Sequence, residues 1–266
     1  MRAVARCRWA GLALDRVSGR RGMDSEGALL WLLGPMAAAA GAAPRTTGAA
    51  LARGIRPAGR SALPLHVLGV VLPPAVAAGT LALGTATGRL DLSRLDAAEI
   101  GRQILAGLGP SAVKNLAEEA TWRSVLTAGL VDAGWPDGRI DLLVGSTWGM
   151  WHLAYYAGFL HDDTVASVMG GSDRARLALV GTLATAAWAP LFTEVHRRTG
   201  TMWAPLVLHT TANSVLGALQ AADGIRYAPG GRALFAPMLG AVPGALMLGA
   251  GLVMRRRRRR REGPLG

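Results

Sequence analysis

"KNLAEEATWRSVLTAGL", residues 114–130, sets Glu118, Glu119 and Arg123 in a stretch that ends apolar. Taken alone, it would suit one amphipathic helix of a soluble domain. The rest of the chain argues for another setting. Of its 266 residues 51% are hydrophobic, and the mean hydropathy is +0.29. The apolar residues gather into blocks near the roughly 20 residues that cross a bilayer. Such blocks lie at about 27–43, 62–87, 111–130, 140–160, 176–194, 201–220 and 233–254. The expected fold is all-α, a polytopic transmembrane helical bundle of about seven spans, with six to eight as the range. Block 111–130 is the least apolar. Segment 91–108 places Ile100, Ile104, Leu105 and Leu108 on one helical face and is expected to lie at the membrane interface.

The net charge of +12 comes largely from the two ends. Arg255 to Arg261 are seven arginines in a row, and Arg2, Arg6, Arg8, Arg16, Arg20 and Arg21 precede residue 22. Beside apolar blocks, such tails read as cytoplasmic anchors that attract anionic lipid; no nucleic-acid partner is expected. With the arginine run inside, arginine-bearing loops alternate as the positive-inside rule requires, except at the amino terminus. Either Met23 is the true start, which is the expectation here, or the helix count is off by one. The expected organisation is a basic extension at 1–22, an integral membrane domain at 23–254 and an arginine-rich cytoplasmic tail at 255–266. The expected location is a bacterial cell membrane. Cys7 is the only cysteine, which excludes an internal disulfide and a cysteine-based zinc site.

Ionisable groups inside membrane spans are costly and usually functional. Glu119 and Arg123 stand four residues apart, so they share a helix face and can pair. Glu118 lies about 100° further round. Trp148 and His152 repeat the four-residue spacing, as do His209 and Asn213. Counted from the inner ends of their spans, Glu118, His152 and His209 lie at depths of roughly 18, 18 and 12 Å. Three polar groups on three helices thus share a level. A carboxylate beside a histidine can draw a proton from water, and a histidine with an amide can steady an oxyanion. Glu118, His152 and His209 could equally hold a divalent ion such as Zn2+ with one position open for water. Spacing leaves both schemes open.

In order along the chain, Glu118-Glu119-x-x-x-Arg123, Trp148-x-x-x-His152 and His209-x-x-x-Asn213 resemble the CAAX-protease and bacteriocin-processing family, also called Abi or Rce1-like. The resemblance covers about 111–217. It implies an intramembrane endopeptidase, of metallo- or glutamate type, acting on a membrane-associated peptide or protein, lipidated ones included. By carry-over, Glu118 is the water-activating base and His152 assists. His209 and Asn213 are the oxyanion or ligand pair. Glu119 is counted with the active-site acids, and Arg123 and Trp148 support. The chain departs from the family pattern at Ser124, where a glycine often follows the arginine, and at Trp148, where phenylalanine is commoner. Lys114, four residues before Glu118, could pair with that carboxylate and quieten it.

Plainer readings stand beside these. Glu119 and Arg123 could be a buried pair that fixes packing, and His152 or Asn213 interhelical glue. His66, the His161-Asp162-Asp163 turn, Glu194 and His196 are read as structural. Trp31, Trp188 and Trp203 are read as interface anchors or packing. The rival functions are a transporter or proton channel and a non-catalytic peptide-binding or immunity relative.

Overall fold

The apolar blocks fold mainly as helices, with breaks inside 140–160 and 233–254, because a chain that buries its backbone away from water must satisfy its N–H and C=O groups locally. The computed structural model describes residues 2–19, 22, 24–171 and 173–262. Met23, the expected start, lies outside them. The helices are α1 (Arg2–Ser18), α2 (Glu26–Ala42), α3 (Pro44–Gly54), α4 (Leu63–Ala86) and α5 (Ala97–Glu119). A π-helical stretch, Ala120–Thr127, joins α5 to α6 (Ala128–Asp132). Next come α7 (Asp137–Trp151), a second π-helical turn at Tyr155–Phe159, α8 (Asp162–Met169) and α9 (Arg174–Thr199). The chain continues through α10 (Trp203–Ala221), α11 (Gly231–Phe235) and α12 (Ala241–Glu262). Strands β1 (Leu90–Asp91) and β2 (Arg226–Tyr227) pair antiparallel and tie two loops together.

The all-α expectation holds. The seven spans do not emerge in the same way. Two helical segments are long and apolar enough to cross a membrane: Arg60–Ala86, with mean hydropathy 1.9, and Arg174–Thr199, with 1.3. Exposed Val67, Val70 and Val71 on α4, and Leu179 and Leu183 on α9, suit a surface solvated by acyl chains. The other expected spans fall short in two ways: α2 and α7 are only 17 and 15 residues long, while Glu118 and Glu119 on α5, His209 and Asn213 on α10 and the arginines on α12 make those helices more polar. Segment 91–108 is not a separate interfacial helix. From an N-cap at Asp96, whose carboxylate accepts from Glu99 N at 3.0 Å, α5 runs through Pro110 into the Glu118 region.

α10 packs against α4 and α5, while α9 packs against α7 and α12. Small residues set how closely these helices approach. Gly145 and Gly149 form a G-x-x-x-G on α7. A Cβ added at Gly149 would lie 2.6 Å from Thr182 O, and one at Gly145 would lie 3.1 Å from Ala186 O, both on α9. On the other flank Trp31 of α2 stacks on Trp151 of α7 at 4.0 Å and 7°. Each indole N–H donates to the other residue's carbonyl at 3.1 Å. Trp31 is 1% exposed, so it packs in the core rather than anchoring at an interface.

Both arginine-rich segments are helical among the described residues. α1 packs along α2, where the buried Asp15 carboxylate accepts from Ser25 Oγ at 2.6 Å and from Gly27 N at 3.0 Å. The arginine run continues α12 as helix to Glu262.

Candidate active site

The π-helical stretch begins immediately after the paired carboxylates. Such insertions re-aim side chains and recur at functional sites. Glu118 and Glu119, which an ordinary helix turns about 100° apart, are both buried, at 1% and 0% exposure. Each finds a histidine from a different helix.

Glu118 Oε2 accepts from the Trp148 indole N–H at 2.8 Å and lies 4.0 Å from His152 Nε2. His152 caps the end of α7, and its Nδ1 stands 2.9 Å from Trp148 O. A carbonyl only accepts, so Nδ1 carries the hydrogen and Nε2 faces Glu118. Glu118 Oε1 is 2.5 Å from Lys114 Nζ. The pairing that the spacing raised is therefore present.

Glu119 forms the second half. Its Oε2 accepts from Arg123 Nε at 3.1 Å, and its Oε1 stands 2.7 Å from His209 Nδ1. The Arg123 guanidinium is wholly buried, 4.7 Å from the Trp148 ring and 5.0 Å from the Phe192 ring. Those ring faces take up a charge that the single Glu119 contact leaves partly uncompensated. The His209 ring meets Trp148 edge-on at 5.4 Å. Asn213 Nδ2 donates to Asn115 Oδ1 at 3.0 Å. Asn115, fully buried one turn before the carboxylates, was missed in the sequence; its i+4 relation to Glu119 was the available signal.

Lys114, Trp148, His152, His209 and Asn213 of this cluster line a cavity of about 340 Å3. Tyr155, Leu160, Val168, Met238 and Leu239 make much of the remainder apolar. The expected residues therefore fall into two groups, Glu118 with His152 and Trp148, and Glu119 with Arg123 and His209; Trp148, His152 and His209 line the cavity, and the carboxylates and Arg123 stand behind them. Among the described residues, no three His, Cys, Asp or Glu side chains are gathered closely enough to hold a metal ion. His161, Asp162 and Asp163 stay apart from the site; Asp162 pairs with Arg174. His196 is buried against Thr201 O at 3.2 Å. Glu194, read as an ordinary helix-end residue, is fully buried and bound by two arginines of α12.

Residues 101–215 match the family described as type II CAAX prenyl endopeptidase Rce1-like. This stretch, under half of the chain, is similar to the Rce1-like family. No curated protein and no solved structure matches the chain. At family level the match implies a CAAX-type intramembrane protease. The matched span holds all three motifs. The two departures from the family pattern have physical accounts here. Trp148 supplies an indole N–H to Glu118, which a phenylalanine lacks. Ser124 presses its Oγ against Gly54 of α3, where an added Cβ would come within 2.0 Å. The larger residue at 124 is accommodated by the absence of a side chain at 54.

Proposed function

We propose that the chain is an intramembrane endopeptidase of the CAAX prenyl protease-like type, hydrolysing a peptide bond with water activated by Glu118. The observation that carries this reading is the 4.0 Å separation of Glu118 Oε2 and His152 Nε2. Both atoms are acceptors when the imidazole is neutral and its Nδ1 is held by Trp148 O. One water about 2.8 Å from each would subtend an angle of about 90° between them, close to that between its own hydrogens. It would give one hydrogen to each and turn a lone pair towards a carbonyl carbon in the cavity.

Glu118 then takes the water's proton as the C–O bond forms. The tetrahedral oxyanion falls to the α10 side of the cavity. Asn213 keeps a second amide hydrogen there, and His209, with Nδ1 fixed by Glu119, presents Nε2 and donates when protonated. Collapse expels the amine, which receives the proton from Glu118. Arg123 balances Glu119 and so holds His209 in place. No step passes through a metal. The apolar length of the cavity suits a lipidated or strongly apolar peptide. Placement of arginines supports a carboxyl terminus in the cytoplasm, in a membrane that we read as bacterial.

A second reading has its own observation. Lys114 and Trp148 between them engage both oxygens of Glu118, which would suit a non-catalytic peptide-binding or immunity relative. One experiment separates the two. The protein is purified into liposomes and given a prenylated CAAX-type peptide before and after chelation. Cleavage that survives chelation and falls about 100-fold or more in Glu118→Gln is expected, the usual scale for loss of a general base. Wild-type cleavage by Glu118→Gln overturns the assignment. Tight peptide binding without cleavage selects the immunity-type reading, and activity restored only by added Zn2+ selects the metal scheme.

A further inference from the structure

The seven arginines at 255–261 are not one uniform basic tail. α12 carries them in a helix continuous with its apolar half, so the helical repeat divides them between two faces. One face continues the buried row Met247, Gly251, Arg255. Arg255 Nε lies 3.1 Å from Glu194 Oε1, and the same guanidinium bonds Asp141. Arg258 Nε lies 3.0 Å from Glu194 Oε2, and its Nη2 lies 2.8 Å from Asp137 Oδ2. Arg259 Nη2 adds a contact to the same Asp137 oxygen at 2.9 Å. These three arginines are committed to acids of α7 and α9 and clamp three helix ends together.

The other face has a different neighbourhood. Leu252 and Val253, 39% and 47% exposed, begin it. Four and eight residues on, the same two rows hold Arg256 and Arg260, and Arg257 and Arg261. All four arginines are exposed, and no hydrogen bond or ion pair joins them to a described residue. Glu262, the acid on their own element, is 2.8 Å from Arg258 and is drawn to the clamp. An outward row therefore changes from apolar to cationic within about one helical turn, roughly 5.4 Å.

We propose that Arg256, Arg257, Arg260 and Arg261 form a docking face for the anionic phospholipid headgroups of the membrane in which α12 is seated. Four cations without acids of their own call for an anionic surface. The exposed leucine and valine directly before them, in the same rows, identify that surface as a bilayer: acyl chains below, phosphates one turn above. A polyanion in solution would have no use for that apolar lead-in. The inference rests on the membrane reading of α12 and not on peptidase activity.

The full chain, purified in neutral detergent, is titrated with phosphatidylglycerol and separately with phosphatidylcholine, and bound lipid is counted by native mass spectrometry. Each arginine near an anionic surface strengthens association roughly fivefold. The variant R256Q/R257Q/R260Q/R261Q is expected to bind phosphatidylglycerol at least about 100-fold more weakly, with phosphatidylcholine unchanged. Arg255→Gln, which weakens the clamp, keeps the wild-type lipid preference but melts at lower temperature. If the fourfold variant does not fold, R257Q/R261Q carries the test with an expected loss of about 25-fold. Wild-type preference for phosphatidylglycerol in the variant that folds overturns the proposal. Displacement of the bound lipid by an equal concentration of a single-stranded oligonucleotide also overturns it, in favour of a general polyanion site.

Discussion

Arg123 is the side chain whose removal should reveal most about how the site is held. Its guanidinium and the Glu119 carboxylate are both fully buried, joined at 3.1 Å. Truncation to Arg123→Met keeps most of the volume but strands one oxygen of Glu119, with only His209 left to compensate the charge. Breaking a buried pair in this way costs about 3–5 kcal/mol. At about 2–4 °C per kcal/mol for a chain of this size, the melting temperature of the detergent-purified protein should fall by roughly 10 °C. Glu119→Gln should be similarly harmful, since it leaves the guanidinium over Trp148 and Phe192 with no anion. The double variant E119Q/R123M buries neither charge. It should lose less than the sum of the singles by about 2 kcal/mol or more, read as a double-mutant cycle by thermal unfolding. Arg123→Lys tests geometry, because an ammonium restores charge without the planar fork that lies against both rings. Strictly additive singles, or an Arg123→Met protein that melts within about 1 °C of wild type, would show that the pair does not carry the site.

The two donors on Glu118 can be tested against each other. Trp148→Phe removes a hydrogen bond to a carboxylate and should lower kcat roughly tenfold with KM little changed. Lys114→Gln should act in the same direction, with Lys114→Arg recovering most of the rate; a rise in kcat in Lys114→Gln would show that the lysine restrains the site. In the helix frame, Gly149→Leu forces a side chain into Thr182 of α9 and should lower the melting temperature by several degrees, at about 1–3 kcal/mol for overpacking. At the clamp, burial pushes the Asp137 carboxyl up, but hydrogen bonds from Arg259 and Arg258 outweigh it and hold the group below its usual 3.8. A folded value below the unfolded one contributes stability that is complete above pH 3.8 and is lost as pH falls through the folded value. Melting temperatures measured from pH 7 to pH 2 should show that loss in the wild type and a shallower one in Asp137→Asn.

What could be read in the sequence was whatever helical spacing alone determines. Glu119 and Arg123 had to share a face, as did Trp148 and His152, because four residues make about one turn. Similar depths on three helices then brought Glu118, His152 and His209 to one level, and the folded chain places Glu118 beside His152 and Glu119 beside His209. Spacing gives no partner beyond its own helix. That His209 pairs with Glu119 rather than Glu118, and that Asn213 spends one amide hydrogen on Asn115, depends on how α5 and α10 rotate against each other. At α5 and α10 the spans were obscured for a related reason. Hydropathy averages each residue by itself, whereas a buried carboxylate held by an arginine and a histidine is no longer an isolated polar group.

The arginine run shows the same limit most clearly. Seven identical residues carry no internal phase, so the sequence presents them as one tail of one property. Their phase is inherited from the apolar half of α12, where Gly251 turns towards α9: a Cβ there would lie 2.4 Å from Leu191 N. Once that contact sets the rotation, Arg255 and Arg258 must face Glu194, and Arg256, Arg257, Arg260 and Arg261 must face away. Had the close approach come one residue earlier, the helix would turn by about 100° and a different set would meet the acids. The division between clamp and outward face is thus a property of one glycine and three acids on other helices. It could not be recovered from the arginines themselves.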